Sequence, residues 1–202
     1  MQENEVVWGV LFAVIVLSVL SASMLVYRKR RPVKKNQGST RKAGDVASQF
    51  ARSNDFRIIR PAVLEGKGRT AHLDALVVGY FGVLGVKALG HTGEVYGNAN
   101  ENTWVQIAPN RERISFANPI TEASADVRVV RDALFAAKIK AVPVEVAVVF
   151  TEKNIQLALP RSLEFYTTKT FHQQLKKEKY QKDAGIDLDA VEKALRAALK
   201  ES

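Results

Sequence analysis

An α/β domain carried behind one membrane-spanning helix is what this sequence predicts, on three observations. The first is an uncharged apolar run over residues 6–27, VVWGVLFAVIVLSVLSASMLVY. The second is a set of nearly unbroken apolar segments, 72–79 (HLDALVVG), 82–89 (GVLGVKAL) and 142–150 (VPVEVAVVF), the pattern of strands covered on both faces. The third is a segment opening at Asn118 whose apolar residues Val127, Val130, Leu134 and Ala137 step by three and four, as in a helix packed on a sheet. A chain of 202 residues, less the apolar run, has room for one domain with a real core.

The run 6–27 predicts a transmembrane helix. At about 1.5 Å per residue it reaches about 33 Å, enough to cross a hydrocarbon core of about 30 Å. A buried core helix of that length would carry a polar face, and this one has none. A cleaved signal peptide would start basic and have a short apolar region, whereas Glu3 and Glu5 precede this long run. Arg28, Lys29, Arg30, Arg31, Lys34 and Lys35 follow it directly, and no Lys or Arg precedes it. The expected localisation is therefore a cell membrane crossed once, with residues 1–5 outside and everything after Tyr27 cytoplasmic. Trp8 and Tyr27 stand where interfacial aromatics belong.

The formal net charge is +9, much of it in that cluster, which reads as a topology signal touching anionic headgroups more than as a nucleic-acid arm. The rest of the chain is only mildly basic. There is no cysteine, which excludes disulfides, zinc ribbons, thiolate nucleophiles and iron–sulfur clusters. Residues 28–43 read as a basic juxtamembrane tether, polar and without periodicity over PVKKNQGSTRKA.

The domain is expected over 44–151. A helix runs over 44–53, with Val46, Phe50 and Ala51 on one side, and a strand-like run 56–64 (FRIIRPAVL) leads into a Gly-rich turn at 65–68. The strands 72–79 and 82–89 are joined tightly through Gly79-Tyr80-Phe81-Gly82. Segments 93–97 (GEVYG) and 103–108 (TWVQIA) read as shorter strands extending the same sheet antiparallel. Asn118-Pro119-Ile120-Thr121-Glu122 opens the second helix with Pro near its start. Pro143 is tolerated at the beginning of the last strand. Residues 152–202 form a helical extension, in which Asp189 and Glu192 are expected to make a capping box for 190–199. Lys176, Lys177, Lys179 and Lys182 read as a solvated basic face.

The run LDALVVGYFGVLGVKALGHTGEVYG, then Trp104, then NPITE and later VAVVFT, resembles the nuclease-related domain (NERD) family over 44–151. That family is similar to the restriction-endonuclease-like superfamily, so the resemblance implies a small mixed β-sheet flanked by helices. It also implies a nuclease signature: an Asp on one strand, Glu-x-Lys on the next, and an acidic residue from the first helix. Such chemistry needs Mg²⁺ on carboxylates to polarise the phosphoryl oxygen and generate hydroxide, with a Lys to stabilise developing charge. Residues two apart on a strand face the same way, so Glu-x-Lys delivers both groups to one site.

Carried over residue by residue, Asp74 is the strand Asp, Lys87 the Lys, and Asp45 stands for the helix acidic residue. Glu122 falls where the family has Gln. Asp74 and Lys87 are thus the residual catalytic candidates, and Asp74 and Asp45 the metal candidates. Gly85 stands where the Glu of Glu-x-Lys belongs, and Val83, Leu84 and Val86 offer no carboxylate either. Neither Glu94 nor Glu122 is favoured by spacing as a substitute. A structural alternative makes Asp74 and Lys87 an ion pair across neighbouring strands. His72, His91 and His172 lack ligand-like spacing. The glycines mark turns, with no phosphate-binding loop, and Trp104 reads as core or rim.

Three functions remain open at this level. One is a membrane-anchored domain with a degenerate nuclease site that binds nucleic acid or a protein partner. The second is an active Mg²⁺-dependent nuclease with a rearranged site. The third is a purely structural interaction module at the membrane. The expected partners are the lipid bilayer and a nucleic acid or protein, with no small-molecule cofactor, and Mg²⁺ only if the domain is active.

Overall fold

The computed structural model describes residues 37–200, which belong to one compact unit, 35–202. The predicted transmembrane segment 6–27 and the basic cluster after it lie outside the described residues. Among the described residues no helix is long and apolar enough to cross a membrane.

The architecture is mixed α/β, a central sheet with helices on both faces. Helix α1 (Gln37–Ser53) leads into β1 (Arg57–Ile59), the hairpin β2 (Ala62–Gly66) and β3 (Arg69–Leu73), and the hairpin β4 (Ala75–Gly79) and β5 (Gly82–Leu89). Then come β6 (Glu94–Tyr96), β7 (Thr103–Ile107), β8 (Arg113–Ala117), α2 (Pro119–Ala136) and β9 (Val144–Phe150). The chain continues through β10 (Gln156–Ala158), β11 (Tyr166–Thr167), α3 (Thr168–Gln174), a 3-10 turn (Glu178–Tyr180) and α4 (Leu188–Ala197).

The central sheet has the order β1-β4-β5-β9-β11. Its first three strands pair antiparallel, and β9 and β11 are added parallel. Every residue of β4 and β5 is buried, which accounts for their unbroken apolar sequence. Alternation along β5 sorts its side chains. Leu84, Val86 and Ala88 meet Ala43, Ala47 and Ala51 of α1, with Phe171, Leu175 and Tyr180 beside them. Val83 faces the other way, into a core made by the β2–β3 hairpin, Val129, Val130 and Leu134 of α2, and Leu188, Val191 and Leu195 of α4.

Several expectations are corrected. Helix α1 begins at Gln37, inside the segment read as a tether, and the sequence did not show this because these first residues are polar and lack an apolar period. The run 56–64 is two strands in different sheets, broken at the cis Arg60–Pro61 peptide. Segment 72–79 likewise belongs to two strands, parted at Asp74. Strands β6 and β7 do pair antiparallel, but in a second sheet, β10-β6-β7-β8, since both edges of β5 are already occupied by β4 and β9. On α2 the buried face includes Pro119, Ala123, Asp126, Val129, Val130, Ala133 and Leu134, so Ala137, its C-cap, is not part of it.

The stretch after Ile155 is not simply helical. β10 pairs parallel with β6 and β11 parallel with β9, pairings set by partners far away in sequence. The N-cap of α4 is Asp187, whose carboxylate accepts from the backbone N–H of Asp189 (3.1 Å) and Ala190 (3.0 Å). Asp189 is engaged by Arg57 at 2.9 Å. After α4, Lys200 N–H donates to Val63 O (2.9 Å), extending the edge of β2.

Candidate functional site

Asp74 sits between β3 and β4, beside Val86 and Ala88 of β5. Its N–H donates to Val86 O (2.8 Å), and its Oδ2 accepts from Ala88 N–H (2.7 Å). The side chain thus carries the ladder past the break between strands, a role a backbone carbonyl would otherwise fill.

Lys87 points from β5 toward α2 and is 9 % exposed. Its Nζ donates to Asp126 Oδ2 at 2.7 Å and lies 3.5 Å from Glu122 Oε2. Asp126 is 5 % exposed, and burial pushes its carboxyl above the usual range. Its contact with the Lys87 ammonium pulls the other way, and Glu122 adds a smaller upward push. The partner of Lys87 is therefore Asp126, and the cross-strand pair with Asp74 does not form.

Asp126 was not singled out in the sequence. A signal was present: it lies one turn after Glu122, and its nearest turns carry Ala123, Val127 and Val130. A carboxylate on an otherwise apolar stripe calls for a cation on the facing sheet. Asn118 brings α2 to this position. Buried, it caps the helix through Ile120 N–H (2.9 Å), and its amide donates to Glu101 O (2.8 Å).

Gly85, two residues before Lys87, shares its face. A Cβ placed there would stand 2.9 Å from Val146 Cγ2 and 3.1 Å from Leu73 Cδ1. The space into which a carboxylate would project from this position is filled by apolar side chains.

Asp45 is remote from this cluster. It lies on α1, which covers the opposite face of the sheet, and is exposed. Arg60 Nη1 contacts its Oδ1 at 2.6 Å, and the same guanidinium donates to Arg41 O (2.9 Å). Glu94 accepts from the Tyr96 hydroxyl in the second sheet. The structure brings together Lys87 and Glu122, adds Asp126, places Asp74 across the ladder, and leaves Asp45 apart. No group of three or more His, Cys, Asp or Glu side chains suited to a metal ion occurs among the described residues.

His91 and Trp104 have packing roles, whereas His72 and His172 are exposed. His91 is buried, with Nδ1 2.8 Å from Gln106 Oε1 and its ring stacked on Phe116 at 4.0 Å. Trp104 is fully buried and donates from Nε1 to Asn98 O (3.0 Å). Gly97 lies against the indole, where a Cβ would come 2.3 Å from Trp104 Cγ.

Residues 35–151 match the family model of the nuclease-related domain, NERD. No curated protein and no solved structure matches the chain.

Proposed function

We propose that this chain, which belongs to the nuclease-related domain family, is a membrane-anchored nucleic-acid-binding protein with a restriction-endonuclease-like fold and a degenerate nuclease site. The observation that carries the degenerate site is the packing around Gly85. The family's second carboxylate is missing, and Leu73 and Val146 occupy its space. The Lys that should act on a phosphate is instead held by Asp126 at 2.7 Å. A two-carboxylate Mg²⁺ site does not fit this donor set: Asp74 is tied to the backbone of Ala88, Asp45 is bound by Arg60, and Glu122 and Asp126 flank an ammonium group.

The anchor rests on the sequence of residues 6–27 and the Lys/Arg asymmetry around it. Nucleic acid is the favoured ligand because the family is nuclease-related and the chain beyond the juxtamembrane cluster keeps a mild excess of positive charge.

The test uses the full chain in detergent micelles with labelled single- and double-stranded DNA and RNA, with Mg²⁺ or Mn²⁺ and without, beside Asp74→Asn. Asn keeps an acceptor for the Ala88 N–H while removing the charge a metal would need. We expect binding that falls steeply with salt and no cleavage. Metal-dependent cleavage abolished by Asp74→Asn would establish an active nuclease and remove the degenerate-site reading.

A further inference from the structure

Helix α2 ends with two reversed hydrogen bonds, Lys138 N–H to Phe135 O (2.9 Å) and Ile139 N–H to Leu134 O (2.9 Å), the pattern of a Schellman cap. Lys138 takes the left-handed conformation this cap needs, with φ 62°. The chain then folds back through 139–143 beside the last turns of the helix and leaves an open pocket of about 450 Å³.

The lining is unlike the rest of the surface. Phe135 forms one wall and is 62 % exposed, more than any other large hydrophobic residue among those described. Leu134, Ile139, Val142 and Pro143 supply apolar surface, and Arg131 and Lys140 supply cations. Neither Arg131 nor Lys140 has an ion-pair partner among the described residues. Lys67 stands 5.8 Å from the Phe135 ring centroid, and it neutralises the neighbouring acid, Asp132, at 2.9 Å. A favourable interaction with the helix dipole accounts for Lys138. It accounts neither for Arg131, two turns earlier, nor for an exposed phenyl ring.

We propose that this pocket docks single-stranded nucleic acid, one base stacking on Phe135 while the adjoining phosphates meet Arg131 and Lys140. An exposed ring flanked by unpaired cations is the arrangement that binds single strands without sequence preference. Charge complementarity selects a polyanion, and the ring selects one that carries planar groups. The pocket lies away from the Lys87 cluster, so the binding needs no catalytic geometry. The proposal rests on the nucleic-acid reading above and specifies where that binding occurs.

The experiment titrates the full chain in detergent micelles with fluorescent dT12, with an abasic oligonucleotide of equal length, and with poly-glutamate as competitor. Phe135→Ala is expected to weaken dT12 binding about tenfold or more while leaving the abasic strand unaffected. The pair Arg131→Gln and Lys140→Gln is expected to flatten the salt dependence by about 1.4 in log–log slope, the amount for two single-strand phosphates. The pair Lys176→Gln and Lys177→Gln, equal in charge but on exposed residues outside the pocket, should leave the Phe135 dependence in place. Thermal melting checks that each variant is folded. If the wild type binds dT12 and Phe135→Ala binds equally well, this surface is wrong and nucleic-acid binding stands elsewhere. If the wild type binds no oligonucleotide at low salt, the nucleic-acid reading itself fails. Phe135-dependent displacement by poly-glutamate would reassign the pocket to an acidic protein partner.

Discussion

Lys87 sets out the chemistry at the residue scale. An ammonium group almost withdrawn from water is tolerated because Asp126 lies 2.7 Å away and Glu122 3.5 Å away, and removing Lys87 would leave Asp126 buried without its counter-charge. The two forces on Asp126 have opposite signs, and desolvation is the larger. Its folded pKa is therefore raised, so the native state holds the proton more firmly than the unfolded chain. Stability from this group is fully present below about pH 3.9, the ordinary Asp value, and is lost as pH rises through the raised folded pKa. Urea denaturation of wild type and Asp126→Asn from pH 4 to 7 reads this directly. The stability of the wild type relative to the variant is expected to fall across that window. A relative rise would mean that the attraction of Lys87 outweighs burial. Part of this was legible in the chain: the positions of Asp74, Lys87 and Gly85 could be singled out by resemblance, because a family pattern is local along a strand. The switch of Lys87 from Asp74 to Asp126 was not, since it depends on which helix crosses the sheet and at what rotation.

At the scale of elements, local signals worked where the segment's own chemistry decides the outcome. Pro at the first position and Asn118 as cap place the start of α2 correctly. The Gly79–Gly82 connection closes the β4–β5 hairpin as expected. For α4, the sequence reading took Asp189 as the cap, and the structure has Asp187 there instead. This choice is measurable by thermal melting. Asp187→Ala is expected to cost about 1 kcal/mol. Asp189→Ala should stay within about 0.5 kcal/mol, because its pairing with Arg57 is a solvent-exposed contact and Ala is the better helix former. Equal losses for the two variants would contradict the cap assignment. Strands β10 and β11 escaped sequence reading because three residues and two residues carry no period, and their pairing partners are supplied from elsewhere.

At the scale of the whole molecule, the C-terminal residues are not an appendage. α4 contributes Leu188, Val191 and Leu195 to the same core as the β2–β3 hairpin and α2, and β11 joins the central sheet. The compact unit therefore extends well past the family match, which ends at 151. The proposed anchor makes a prediction of its own. In cells expressing the full chain, the protein is expected to stay with membranes through alkaline carbonate extraction, and a variant lacking residues 1–31 to be released. Extraction of the full chain by carbonate would sink the anchor.

What the sequence determined by itself is what short segments decide alone: an α/β composition of elements, two buried strands in a hairpin, the opening of α2, and the absence of any carboxylate from residues 83–86. Each follows from periodicity, turn chemistry or the presence of one side chain. The tertiary structure decided which strands share a sheet, which acid neutralises Lys87, and that Leu73 and Val146 close the space beside Gly85. Those outcomes depend on contacts between residues tens of positions apart, and the packing of one face against another selects among partners that the chain offers equally.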